Sequence, residues 1–252
     1  MEHKEYKRIN KDASIAVLFI HGIVGTPNHF SWLLPLVPPA FSVYNMLLDG
    51  HGKGVKDFSK TSMKKWEAQA AAAVKELSQT HKEIYIVAHS MGTLLAMEQA
   101  INNPQVTQLF LLASPLSVFL KPKMMVNAGK IFLDNIRPDD FEALTVKSCY
   151  GIAGDKNPFH YIGWIPRYLE LFAKIRQTRK RISFLKTPCT VYQSKKDEMV
   201  ANKSVKYLSR NPHISLHILE NSGHFAYGEE DRTFLITEFH KMLGSADTTM
   251  FH

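Results

Sequence analysis

Ser90 lies in "IVAHSMGTLLAM", residues 86 to 97, where an apolar run closes at Ala88, His89-Ser90-Met91-Gly92 turn the chain and a second apolar run begins. The stretch is one residue short of G-x-S-x-G, the pattern that presents a serine hydroxyl on a sharp strand-to-helix turn. Ala88 stands where the first glycine belongs. Taken alone, a serine at a helix start also reads as an ordinary N-cap. For nucleophilic chemistry its hydroxyl needs a base within hydrogen-bond reach, and the base needs an acid to fix its tautomer.

Twelve histidines are available. His224, in "ENSGHFAYGEED", follows the last apolar strand-like run, and Ser222-Gly223 let the chain turn tightly there. His217 alternates within a strand, His21 and His51 sit in glycine loops as structural residues, and the side chain of His89 is expected to point away from that of Ser90. For the acid, Asp197 in "YQSKKDEMV" follows another strand, with Glu198 its main competitor and Asp155 less favoured. Ser90, Asp197 and His224 each follow a separate strand, so three remote placements agree on acyl transfer through a serine nucleophile.

The elements that must position these residues follow from hydrophobic rhythm. "SIAVLFI" (14–20), "FSVYNML" (41–47), "EIYIVA" (83–88), "VTQLFLLA" (106–113), "CTVYQS" (189–194) and "ISLHIL" (214–219) read as strands, most of them apolar enough to be covered on both faces. Between them the spacing predicts a short helix around Phe30 to Leu36 and an amphipathic helix capped by Thr61, with Trp66, Ala70, Ala73, Val74 and Leu77 on one stripe. Further helices are expected over Met91 to Ile101, Ser204 to Arg210 and Arg232 to Leu243. The alternation implies right-handed crossovers, a mostly parallel sheet and an α/β fold.

The rhythm breaks over residues 115–187, which hold five prolines, clusters of Met and aromatic residues and no clear strand. The expected organisation is therefore a core of residues 1–114 and 188–243, a helical cap over 115–187 that covers the carboxyl edge of the sheet, and a disordered tail from 244 to 252. The apolar density of the cap, with adaptable methionines such as Met124 and Met125, suits an acyl-chain pocket.

Together, His21-Gly22, Asp49-Gly50-His51-Gly52, Ala88-His89-Ser90-Met91-Gly92, "YQSKKDEMV" and Ser222-Gly223-His224 resemble the α/β-hydrolase superfamily and, within it, the carboxylesterase and monoacylglycerol lipase group. The resemblance implies an α/β-hydrolase fold, Ser90, Asp197 and His224 as catalytic residues, and an oxyanion hole from the backbone N–H groups of Ile23 and Met91. Two such donors are worth on the order of 3 kcal/mol each. It departs from the family pattern at Ala88 and at Ser194, where a glycine often precedes the acid.

The function expected is hydrolysis of small-molecule carboxylic esters with short to medium acyl chains, including monoacylglycerols, with no metal or organic cofactor. Two alternatives remain: an acyl-thioesterase acting on an anionic carrier, and a catalytically silent binding module. The first draws on charge. Of the formal net charge of +8, residues 121–186 contribute 13 Lys+Arg against 6 Asp+Glu. No nucleic-acid motif or aromatic platform accompanies that charge, so nucleic acid is not an expected partner. The N-terminus lacks an apolar targeting segment and no run is long enough to span a bilayer, which makes a cytoplasmic protein without stable membrane insertion the default expectation. Cys149 and Cys189 have no metal-like spacing and are expected as free or buried thiols.

Overall fold

A computed structural model describes residues 3–119, 136–137 and 139–244 of the chain. Seven strands form one sheet in the order β1-β3-β2-β5-β6-β8-β9, namely Tyr6–Arg8 (β1), Ile15–Ile20 (β2), Ser42–Met46 (β3), Glu83–His89 (β5), Val106–Leu112 (β6), Cys189–Ser194 (β8) and Ile214–Leu219 (β9). Lys53–Gly54 (β4) and Ile152–Ala153 (β7) pair as a separate two-stranded sheet. In the large sheet every neighbouring pair is parallel except β1 with β3. All six parallel strands therefore end at one edge, and the loops that leave it carry the candidate residues.

The core strands are apolar on both faces because helices cover both. The described α-helices are α1 (Val55–Ser59), α2 (Met63–Ser78), α3 (Met91–Asn102), α4 (Phe141–Cys149), α5 (Ile165–Arg181), α6 (Lys203–Leu208) and α7 (Glu229–Met242). One core cluster joins Leu18, Ile20, Ile86 and Ala88 to Trp66, Val74, Leu95 and Ile175. On the opposite face Val17, Phe19, Val87 and Phe110 pack with Phe30, Leu235 and Phe239. Burying a side chain of this size contributes roughly 1.5–3 kcal/mol, so the two layers hold the strand ends in fixed register.

Helix α2 buries the expected stripe, Trp66, Ala70, Ala73, Val74 and Leu77, together with Met63. Its N-cap is Ser62 rather than Thr61: the Ser62 hydroxyl accepts the Lys65 N–H at 3.2 Å, which places the helix start one residue later. The helix expected around Phe30 to Leu36 is instead two 3-10 turns, Pro27–Phe30 and Leu34–Leu36, each with a proline in its first turn and too short to close α-helical bonds. The last helix starts at Glu229, three residues before the expected start, with Glu229, Glu230 and Asp231 in its positive first turn. β1 has no apolar run to announce it; Lys7 and Arg8 keep an edge strand charged.

The segment after β6 contributes α4, a 3-10 run over Pro158–Trp164, and α5. It also contains β7, where no strand was expected, because two residues of strand are too few for a hydrophobic period to register. Met124, Met125 and the tail from residue 245 lie outside the described residues. Among the described residues no helix is long and apolar enough to cross a membrane. Cys149 and Cys189 are both free and buried, and burial pushes the Cys149 thiol up to about 11.

Candidate active site

Strand β5 runs straight into Ser90, whose backbone takes φ 52° and ψ −125° before α3 begins. A non-glycine residue at positive φ costs roughly 1–3 kcal/mol and persists only where neighbours enforce it. Here the Ser90 N–H donates to Leu112 O on β6 at 2.9 Å, while its carbonyl accepts from the N–H and hydroxyl of Thr93 at 2.9 and 2.7 Å. Two glycines make room for the turn. A Cβ on Gly92 would lie 2.2 Å from Ile20 O, and one on Gly22 would lie 2.8 Å from the Ser90 Cβ. Ala88 is different: it pairs with Ile20 and Leu111 within the sheet, and its methyl is part of the core.

Asp197 follows β8, and its Oδ1 accepts the N–H groups of Met199 and Val200, each at 2.7 Å. Its Oδ2 lies 2.8 Å from His224 Nδ1. Burial alone would raise this carboxyl, but the charge and hydrogen bond of His224 and the two backbone donors outweigh it and hold Asp197 below the usual carboxylate range. An ionised Asp197 can only accept, so His224 donates to it from Nδ1, and in the neutral ring this tautomer makes Nε2 the acceptor. That Nε2 lies 3.1 Å from Ser90 Oγ, with all three side chains buried. The structure thus brings Ser90, His224 and Asp197 into one hydrogen-bonded line in which the serine hydroxyl donates to a fixed imidazole lone pair.

Ile23 follows Gly22 in a turn closed by Gly25 N–H to Gly22 O at 3.1 Å, and Met91 is the first residue of α3. Among the described residues neither amide N–H has an acceptor. The first N–H groups of a helix have no intrahelical partner and carry its positive dipole end.

The other candidates take different places. Glu198 Oε2 accepts the backbone N–H of His224 at 2.9 Å, so this carboxylate meets the histidine through its main chain and not its ring. Asp155 accepts from His160 Nδ1 at 2.5 Å. His217 stacks on Tyr192 with ring centroids 5.4 Å apart. His21 accepts the Leu48 N–H at Nε2 and donates from Nδ1 to Gly22 O, while His51 Nδ1 donates to the carbonyls of Leu48 and Asp49; both are buried loop braces. His89 Nε2 reaches the carbonyl of His224 at 2.9 Å. Its ring stacks on His29 at 3.8 Å. His29 was not anticipated, because nothing in "TPNHF" separates a buried histidine from a solvated one. Among the described residues no group of three His, Cys, Asp or Glu side chains is placed to hold a metal ion.

Similarity to known proteins bears on the family and the fold. A profile of the Alpha/beta hydrolase family matches residues 17–235. The chain belongs to the alpha/beta hydrolase family. Among solved structures it is similar to one reported for LipS and LipT, two metagenome-derived lipolytic enzymes, with TM-score 0.74, 18% identity and coverage of 96% of this chain and 98% of that one. A monoacylglycerol lipase of Paleococcus ferrophilus aligns with TM-score 0.68 and 16% identity over 98% and 100% of the two chains. A carboxylesterase study of the ammonia-oxidizing Thaumarchaeon Nitrososphaera gargenis provides a third, with TM-score 0.68 and 12% identity over 97% and 96%. No curated protein is close enough in sequence to match. At such identities the neighbours share the family's fold, and within that fold the loops after β2, β5, β8 and β9 converge on Ser90.

Proposed function

We propose that this alpha/beta hydrolase is a serine esterase that cleaves carboxylic esters with short to medium acyl chains, monoacylglycerols among them. The observation that carries the reading is the continuous line from Ser90 Oγ through both ring nitrogens of His224 to Asp197, at 3.1 and 2.8 Å, built on a serine held at positive φ. His224 takes the hydroxyl proton as Ser90 attacks the ester carbonyl, and Asp197 stabilises the imidazolium that forms. The N–H groups of Ile23 and Met91 bind the oxyanion of the tetrahedral intermediate. His224 then protonates the departing alcohol, and water activated by the same base hydrolyses the acyl-enzyme.

The segment from 115 to 187 is read as a cap. Its 3-10 run and α5 bury Trp164, Leu171 and Ile175 against the core but expose Phe159, Ile162, Ile165, Leu169 and Phe172. Those exposed side chains supply apolar surface suited to an acyl chain.

The thioesterase alternative rests on cationic charge in the cap. Lys174 and Arg181 reach Glu67 and Glu98 of the core, so part of that excess is already balanced. The ester reading is therefore preferred. Its test is turnover of p-nitrophenyl esters of increasing chain length by wild type and Ser90→Ala, with fluorophosphonate labelling of folded protein. Hydrolysis lost in the variant and an adduct on Ser90 are the expected results. No adduct on the wild type would sink the hydrolase reading in favour of a silent binding module. Thioester turnover that falls steeply with salt while ester turnover stays flat would favour the anionic-carrier reading instead.

A further inference from the structure

Taking His224 as the general base, we propose that His89 and Glu198 are positioning residues that clamp its main chain from both sides and tie the base loop to the nucleophile and to the acid. The Glu198 carboxylate accepts the His224 N–H, and His89 Nε2–H donates to the His224 carbonyl, each at 2.9 Å. Both peptide groups that flank the His224 Cα are thereby held by side chains of other elements. Each clamp residue is also the chain neighbour of one of the residues the base must serve. His89 is the last residue of β5 and immediately precedes Ser90, and Glu198 immediately follows Asp197.

The loop that carries His224 has reason to need holding. It runs from the end of β9 to the start of α7 and contains Gly223 and Gly228, with internal bonds from Gly223 N–H to Ala226 O at 2.8 Å and from Gly228 N–H to Ser222 Oγ at 3.3 Å. Gly223 is itself shaped to the clamp, because a Cβ there would lie 2.8 Å from Glu198 Oε1. On the other side the His89 ring is packed between two further rings. It stacks on His29 at 3.8 Å, and its centroid lies 4.7 Å from that of His224. His29 is braced in turn by Tyr227, whose hydroxyl is 3.3 Å from His29 Nε2 and which lies in the same loop as His224. Burial, followed by the charges of His29 and His224, holds His89 well below the ordinary imidazole range. A neutral His89 has one ring proton, and since a carbonyl can only accept, that proton sits on Nε2.

A displacement of about 1 Å at a reacting group costs on the order of 100-fold in rate, so a clamp acting through the backbone is read in kcat and not in KM. The test compares isosteric pairs. Glutamine at position 89 places its amide nitrogen where Nε2 stood, whereas asparagine places it near Nδ1 and cannot reach the carbonyl. Glutamine at 198 keeps an acceptor oxygen, whereas methionine removes it. His89→Asn and Glu198→Met should each lower kcat for a p-nitrophenyl ester by roughly 10- to 100-fold with KM nearly unchanged, and slow fluorophosphonate labelling in step. His89→Gln and Glu198→Gln should stay within about threefold of wild type in kcat. The low-field proton resonance of the His224 Nδ1–H bonded to Asp197 should persist in the glutamine variants and broaden or shift in the other two.

Folded Asn and Met variants that keep wild-type kcat, or glutamine variants no better than their partners, overturn the clamp. If an Asn or Met variant fails to fold, the glutamine variant at that position decides: near-normal kcat and an intact resonance support the clamp, and a large loss of both refutes it. A wild type without esterase activity would end the ester reading but not the clamp, because the resonance is measured without turnover. Its insensitivity to all four substitutions would then refute the clamp.

Discussion

Ser90 cannot be understood from its hydroxyl alone; its positive φ depends on what its neighbours lack. Gly92 is the indispensable glycine, since a methyl there would enter the β2 backbone at 2.2 Å from Ile20 O. Ala88, by contrast, already has its methyl in the core. Ala88→Gly should therefore keep activity, whereas Ala88→Val adds two methyls to a fully buried site and should cost about 1–3 kcal/mol. Gly92→Ala should do more harm than Ala88→Val despite adding fewer atoms, and urea midpoints of the three variants check the order. Ser90→Ala should lower kcat for a p-nitrophenyl ester by on the order of 10⁴-fold or more, and Asp197→Asn by about 10⁴-fold. Near-normal kcat in Asp197→Asn would mean that another group sets the His224 tautomer.

At the scale of elements, α5 is fixed to the core by charge as well as by apolar contact. Lys174, buried to 3% exposure, is bonded to Glu67 Oε1 of α2 at 2.7 Å and also to Glu98 of α3, which Arg181 contacts at 3.1 Å. Glu170 receives Arg167 and also accepts the Met63 N–H at 2.8 Å, tying α5 to the first turn of α2. Removing the buried ammonium leaves two carboxylates, one a third and one a fifth exposed, facing each other. Lys174→Ala should then destabilise the protein by about 2–4 kcal/mol, a value reduced for the solvent that reaches both acids, and Lys174→Met by less because it refills the volume. Equal urea midpoints for wild type and Lys174→Ala would show that the pairs contribute nothing to docking α5.

Over the whole molecule, buried neutral histidines set the response to acid. Burial, followed by nearby imidazole charge, pushes His29 down to about 3, and burial pushes His51 down to about 4. His21 and His89 are held well below the ordinary value for the same reason. Each such group binds a proton more readily when unfolded, so its stabilisation is complete above the unfolded value of about 6.5 and is lost as pH falls toward the folded one. Each site can contribute up to about 1.4 kcal/mol per pH unit in that window. Stability measured by urea unfolding should hold between pH 8 and 7 and fall by several kcal/mol from pH 6.5 to 5; a flat profile across that interval would contradict this account. Asp197, whose folded value is lowered, adds its own loss only at lower pH, as its carboxyl is protonated.

The sequence by itself determined the parallel α/β layout, because strands covered on both faces must be apolar throughout and helices beside them must be amphipathic. It also singled out Ser90, Asp197 and His224, since each follows a strand and parallel strands end at one edge. Short or charged elements were not legible: β1 and β7 bury too little to impose a hydrophobic period, and the Thr61 to Ser62 cap shift turns on one hydrogen bond. Tertiary structure alone decided what the rejected candidates do. His89 and Glu198 were weighed as a base and an acid through their side chains, yet both act on the main chain of His224, and a residue's type and spacing carry no trace of which backbone groups a fold will bring beside it.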